Sequence, residues 1–191
     1  MVVLSRTPMS TELPLLVGAG SVPEQRMRDA AEALAQHWTV PLATHPVGTS
    51  PATVLNEPWP GFIRLSGDPA RQRQDGGHWL EAIADWRQPM LLLVPGEADG
   101  SVSGHAAAYS ALCGQLGAPL LGLIQIQGSW DARQRRRDGL TWLGWIPAQA
   151  DSAHAMELER LSLCLQRAGV PQTQKTKVLR TEARAAATAQ A

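Results

Sequence analysis

The sequence predicts an α/β fold: a three-layer domain with a mostly parallel sheet and helices on both faces. Three observations carry this expectation. Short apolar runs alternate with amphipathic segments along most of the chain. The run Met90–Val94, "MLLLV", is unbroken by polar residues, as a central parallel strand buried on both faces would be. The stretch "LPLLVGAGSVPEQR" at 13–26 reads as a strand, a Gly-rich turn and a helix start, the form of an anion-binding turn.

The elements follow in order. Leu13–Val17 is a compact apolar run and predicts a strand. Ser21 and Glu24 have capping-box spacing, and Pro23 suits a first helical turn. Met27, Ala30, Ala31 and Leu34 then recur at helical spacing, so a helix is expected from Val22 to about His37. A second strand is expected at Val40–Thr44, a proline-rich loop at 45–60 and a third strand at Gly61–Leu65. Trp79, Leu80, Ile83 and Trp86 mark a short helix, and Met90–Val94 is the fourth strand. Ala107, Ser110, Ala111 and Gly114 form a small-residue stripe expected to pack a helix closely on the sheet. Leu120–Ile126 is a strand, 127–139 an Arg-rich loop, "LTWLGWIP" a last strand and 152–168 a helix with a leucine-rich face. The expected organisation is a loose leader at 1–11, one domain at 12–169 and a disordered tail at 170–191 that lacks large apolar clusters.

Composition narrows the function classes. The 191 residues suffice for one α/β domain. Seventeen basic and seventeen acidic residues cancel, so no generic nucleic-acid or anionic-membrane surface is expected. No apolar run approaches the ~20 residues that span a bilayer, and the N-terminus lacks signal-peptide character. Cys113 and Cys164 sit in apolar helical patterns and read as buried free thiols in a reducing cytoplasm. No metal-ligand cluster is spelled out.

Ligands of such folds bind at the carboxyl ends of strands, here the turns near 18–21, 45–50, 66–77, 95–104 and 127–139. Gly18, Gly20 and Ser21 read either as an anion cradle or as a tight turn, with Glu24 already complementing the helix dipole. Arg133 and Arg136, with Arg135 and Arg137, read either as an anion-binding group or as a solvated loop balanced by Asp131 and Asp138. His45 and His105 fall near strand ends, where a carboxylate such as Asp68 or Asp99 would make an acid–base pair; ordinary loop histidine is the alternative. Ser101 and Ser103 have no G-x-S-x-G elbow around them. Seven tryptophans stand against one Phe and one Tyr, so Trp dominates the aromatic surface. Alternation puts Trp142 and Trp145 on opposite faces of their strand, exposing at least one as a partner anchor; core and rim packing is the alternative.

The half from about Gly77 to Pro147 resembles the dethiobiotin synthetase family of P-loop proteins. "ADWRQPMLLLVPGEADGSVSGHAAAYSAL" has the form of that family's helix, strand, Gly-containing loop and helix, with Gly104-His105 where the family has Asn-His. "LGAPLLGLIQIQG" is similar to its next strand, and "LTWLGWIP" to its late "LG-x-IP" strand. The resemblance implies a P-loop NTPase-like topology, ATP and Mg²⁺ as cofactors and a homodimer. It also implies functional positions that this chain does not fill. The Walker A lysine falls near Gln25 and Arg26, and the glycine before it on Glu24. The second lysine falls on His45, the acidic residue on Ser66, and the adenine-reading Asn near Gln125 or Gln127. The lysines of the chain, Lys175 and Lys177, both lie in the tail. Losing even one charge-stabilising group typically costs ~10²–10³ in rate. The expectation is therefore a cytoplasmic, non-catalytic protein with a degenerate nucleotide site that binds a protein partner or a second copy. The alternatives are an ATP-dependent carboxylase or ligase with a remodelled site, using ATP and Mg²⁺, and an anion or small-molecule sensor.

Overall fold

The computed structural model describes residues 13–56, 58–74 and 76–171; the expected leader at 1–11 and the tail beyond Pro171 lie outside the described residues. Six strands form one all-parallel sheet: β1 (Leu15–Gly18), β2 (Leu42–Pro46), β3 (Phe62–Ser66), β4 (Met90–Pro95), β5 (Leu120–Ile126) and β6 (Trp142–Ile146). Their spatial order is β2-β3-β1-β4-β5-β6. The helices are α1 (Glu24–Trp38), α2 (Pro51–Leu55), α3 (Trp79–Asp85), α4 (His105–Leu116), α5 (Ala132–Arg137) and α6 (His154–Arg167).

Alternation along the strands sends side chains to two separate cores, which makes the three layers. Leu16, Phe62, Leu91, Leu93, Ile124 and Ile146 meet α1 and α6 on one face. Leu15, Val17, Leu65, Leu92, Val94 and Leu123 meet α2, α3 and α4 on the other. β4 is wholly buried up to Val94, as its unbroken apolar run requires. Val170, one residue past the expected domain end, is buried in the α1–α6 core.

Several local expectations give way to tertiary contacts. α1 begins at Glu24, with Pro23, which has no side-chain acceptor, at its N-cap; the Glu24 carboxylate, expected to close a capping box with Ser21, bonds β3 instead. The chain instead builds a capping box at α3. There His78 Nδ1 accepts from Glu81 N at 3.4 Å, and Glu81 Oε2 accepts from His78 N at 2.9 Å. The proline-rich loop contains α2, which opens on Pro51 where no N–H is needed and buries Val54 and Leu55. The Arg-rich loop contains α5, which Asp131 caps by accepting from the N–H groups of Arg133 and Gln134. The small-residue stripe of α4 faces outward at Ala107, Ala111 and Gly114; Ala106, Tyr109 and Cys113 face the sheet. Among the described residues, no helix is long and apolar enough to cross a membrane.

β1 connects to β2 on one side of the sheet, whereas its neighbour β4 connects to β5 on the other. The carboxyl ends of β1 and β4 therefore flank a topological switch point, where open α/β sheets place ligands.

Candidate functional site

The switch point brings the β1–α1 turn against the start of α4. Ala19 N donates to Leu93 O at 3.0 Å, and Val22 N donates back to Gly20 O at 3.0 Å, closing a tight turn. Gly20 lies at φ +85°, and a Cβ there would come within 3.3 Å of the His105 ring. Glycine at this position thus meets both a left-handed backbone and a close aromatic neighbour. Ser103 Oγ and His105 Nδ1 are 2.9 Å apart, and His105 N donates to Ser103 Oγ at 3.1 Å. His105 is fixed over the turn from both its backbone and its ring.

At the head of α1 the chain supplies its own anion. Glu24 Oε1 accepts from Arg64 Nη2 at 2.7 Å, and Glu24 Oε2 accepts from Ser66 Oγ at 2.8 Å. Arg28 adds a contact at 3.7 Å. The hydrogen bond from Arg64 is the largest influence that lowers the Glu24 carboxyl from 4.5 to about 2. Arg64 reaches this position from β3 with only 3% of its side chain exposed. Its Nε donates to Thr44 Oγ1 at 3.3 Å, while its buried Nη1 has no hydrogen-bond partner. Gln25, near the position implied for a phosphate-binding lysine, donates to Asp29 Oδ1 at 2.6 Å along its own helix. Arg26 Nη1 donates to Gly96 O at 3.2 Å and approaches Glu97 at 3.9 Å, bracing the β4–α4 loop.

Among the three residues singled out for acid–base work, no direct hydrogen bond forms. Asp68 Oδ1 accepts from Ala70 N at 2.9 Å and from the Tyr109 hydroxyl. Burial and this carboxylate hold the Tyr109 phenol well above the usual tyrosine range. Tyr109 in turn meets His105 edge to face, with ring centroids 6.1 Å apart. Asp68, Tyr109 and His105 therefore form one chain of contacts across the β3–α3 loop and α4. His45 stands apart at the end of β2, paired with Leu65 of β3.

Arg135 is the buried member of the arginine group. It donates from Nη2 to Gly100 O and from Nη1 to Asp138 Oδ2 at 3.2 Å, and its guanidinium lies 5.1 Å from the Trp142 ring centroid. This ties α5 to the β4–α4 loop. Arg133 and Arg136 are exposed, and among the described residues no bond joins them to Gly18, Gly20 or Ser21. Gln127, at φ +54°, offers its carbonyl to Gln125 Nε2 and to Trp145 Nε1, both at 3.1 Å. Trp142 donates to the Asp138 carboxylate at 2.9 Å and meets Trp130 edge to face.

The two β6 tryptophans share a face, contrary to simple alternation. A register shift pairs Trp142 with Leu123 and Trp145 with Gln125, two residues apart on β5. Both are half-buried. Among the described residues, no three His, Cys, Asp or Glu gather as a metal site.

Arg64 and Tyr109 were not among the sequence candidates. Arg64 carried a signal: a charged residue inside the apolar strand "GFIRLS" requires a partner once both faces are covered. Tyr109 carried none, because its acceptor lies 41 residues away. No protein-family model matches the chain and no curated protein matches it, so its function rests on this geometry.

Proposed function

We propose that the chain is a non-catalytic, dethiobiotin synthetase-like protein that uses a P-loop-like frame for binding or regulation. One observation carries this reading. The Glu24 carboxylate lies at the head of α1, where a bound phosphate would have to sit, and already takes up Arg64 and Ser66. A nucleotide phosphate would meet that negative charge with no lysine among the described residues to offset it. ATP and Mg²⁺ therefore do not fit this site. His105 over Gly20 narrows the same turn, and α5 braces Gly100 rather than supplying its arginines to the turn.

A binding role draws support from the far edge of the sheet. β6 is an edge strand whose two half-buried tryptophans lie on the α4 side, while α6, packed on its other face, exposes Met156 and Leu163 two helical turns apart. Either side of this edge offers apolar contact to a protein partner or a second copy in a homodimer.

The direct test is titration of the full chain with ATP and a non-hydrolysable analogue, with and without Mg²⁺, following heat and Trp fluorescence. No saturable binding at millimolar nucleotide is expected. Micromolar binding that requires Mg²⁺ would overturn the reading and favour the ligase alternative.

A further inference from the structure

A sizeable cavity lies away from the head of α1, at the carboxyl ends of the edge strand β2 and its inner neighbour β3. It measures about 510 Å³, within the usual size of small-ligand sites. Val47, Gly48 and Ser50 form one wall, and the segment Arg71 to Gln74 forms the other. Each polar side chain in this lining carries a hydrogen-bond donor: the Ser50 hydroxyl, two guanidinium groups and two carboxamides. Among the described residues that line it, none is acidic. Arg71 is exposed and has no ion pair among the described residues.

Both walls are fixed before any ligand arrives. Val47 O accepts from the fully buried Trp79 indole at 2.8 Å, and Val47 N donates to Ser66 O at 2.9 Å. Across the cavity, Arg71 N donates to Asp68 O at 3.1 Å and Arg73 N to Gly77 O at 2.9 Å. Arg73 Nη2 donates to Gly76 O at 3.2 Å, so its guanidinium is held in place. A preformed wall lowers the ordering cost of binding. A neighbouring groove of about 280 Å³ shares Ser50 and Arg73 but is lined by Glu81 and Asp85. The carboxylates of Glu81 and Asp85 disfavour an anion in that groove.

We infer that this crevice binds a small organic or inorganic oxyanion, its carboxylate or phosphate oxygens taken by Arg71 with Ser50, Gln72 and Gln74 as further donors. This goes beyond the proposed function, because it involves neither the Gly18–Glu24 turn nor a nucleotide. A guanidinium fork suits both oxyanion classes.

The test is an amide-resolved NMR titration of the full chain with citrate, and separately with inorganic phosphate, at constant ionic strength set by chloride. Saturable shifts confined to Val47–Ser50 and Arg71–Gln74 are expected with at least one probe. The stronger probe tells whether carboxylate or phosphate is the better fit. Arg71→Ala is expected to weaken that binding about tenfold, the loss of one charge-assisted contact. Arg71→Lys should recover only part of it. Arg71 is exposed, so the variants keep the fold. The inference fails if shifts do not saturate, if chloride alone reproduces them, if they map to Gly18–Arg26, or if Arg71→Ala leaves the affinity unchanged. Shifts at Gly18–Arg26 would at the same time count against the closed turn described above, whereas loss of the crevice signal alone would leave that turn untouched.

Discussion

Arg64 is almost wholly enclosed beneath α1, while Glu24 leaves 45% of its side chain in solvent. The two ends of this ion pair are therefore unequal. Truncating Glu24 strands a buried guanidinium that already has one unpartnered nitrogen, whereas removing Arg64 leaves a carboxylate that water can solvate. Glu24→Ala is expected to cost ~3 kcal/mol, the low end for an orphaned buried charge, because the opening admits water. Arg64→Met is expected to cost only about 1 kcal/mol. Urea denaturation of both variants checks the order, and equal losses would refute it. The same pair sets a pH dependence. The folded Glu24 carboxyl titrates near 2 instead of 4.5, so its contribution is complete above about 4.5 and is lost as pH falls toward 2. Solvent at the exposed carboxylate keeps the effect below what that shift alone implies. Glu24→Gln should flatten the stability profile over this acid window, and a profile as steep as that of the parent chain would show that other carboxylates dominate.

At the scale of elements, α4 shows how a sequence pattern and a fold can disagree and still be tested. Gly114 sits on its outward face, where an added methyl group would meet nothing within 4 Å, and its φ is not in the left-handed region. Gly114→Ala should raise stability by ~0.5–1 kcal/mol through helix propensity alone. A loss, measured as a lower denaturation midpoint, would mean that the face is covered in solution. On the opposite face Cys113 is buried, and burial pushes its thiol up to about 11. The strands and longer helices were legible because apolar spacing reports burial directly. α2 and α5 were not: one is rich in proline context and the other is "ARQRRR", with no apolar periodicity at all. The small-residue stripe suggested the wrong face of α4 because Tyr109 and Cys113, larger and better at filling the sheet-side space, take that face instead. Of the site, Gly20, His105 and Asp68 could be picked out by residue type and position. Their connection through Tyr109, and the Glu24–Arg64 pair in place of a capping box, depend on contacts roughly forty residues apart that no local spacing encodes.

Across the whole molecule, the two cores share every central strand but no side chain. In β4, Leu91 and Leu93 serve the α1–α6 layer while Leu92 and Val94 serve the α3–α4 layer; in β1, Leu16 and Leu15 divide in the same way. Neither helical layer can keep its apolar face covered if the sheet is lost, so the layers should unfold together. Leu16→Ala and Leu92→Ala each empty a fully buried position, one per core. Each should cost ~2–5 kcal/mol. Trp38 belongs to the first core and Trp79 to the second, so near-ultraviolet dichroism senses both layers. Both variants should show one transition, with near- and far-ultraviolet signals coincident and the urea slope unchanged. A variant in which the near-ultraviolet signal is lost first, while the far-ultraviolet signal persists, would mean that one layer can loosen from a surviving sheet. The β1–α1 turn would then be the first place to look for that loosening, because Ala19 and Arg26 connect it to β4 and the β4–α4 loop through only a few bonds.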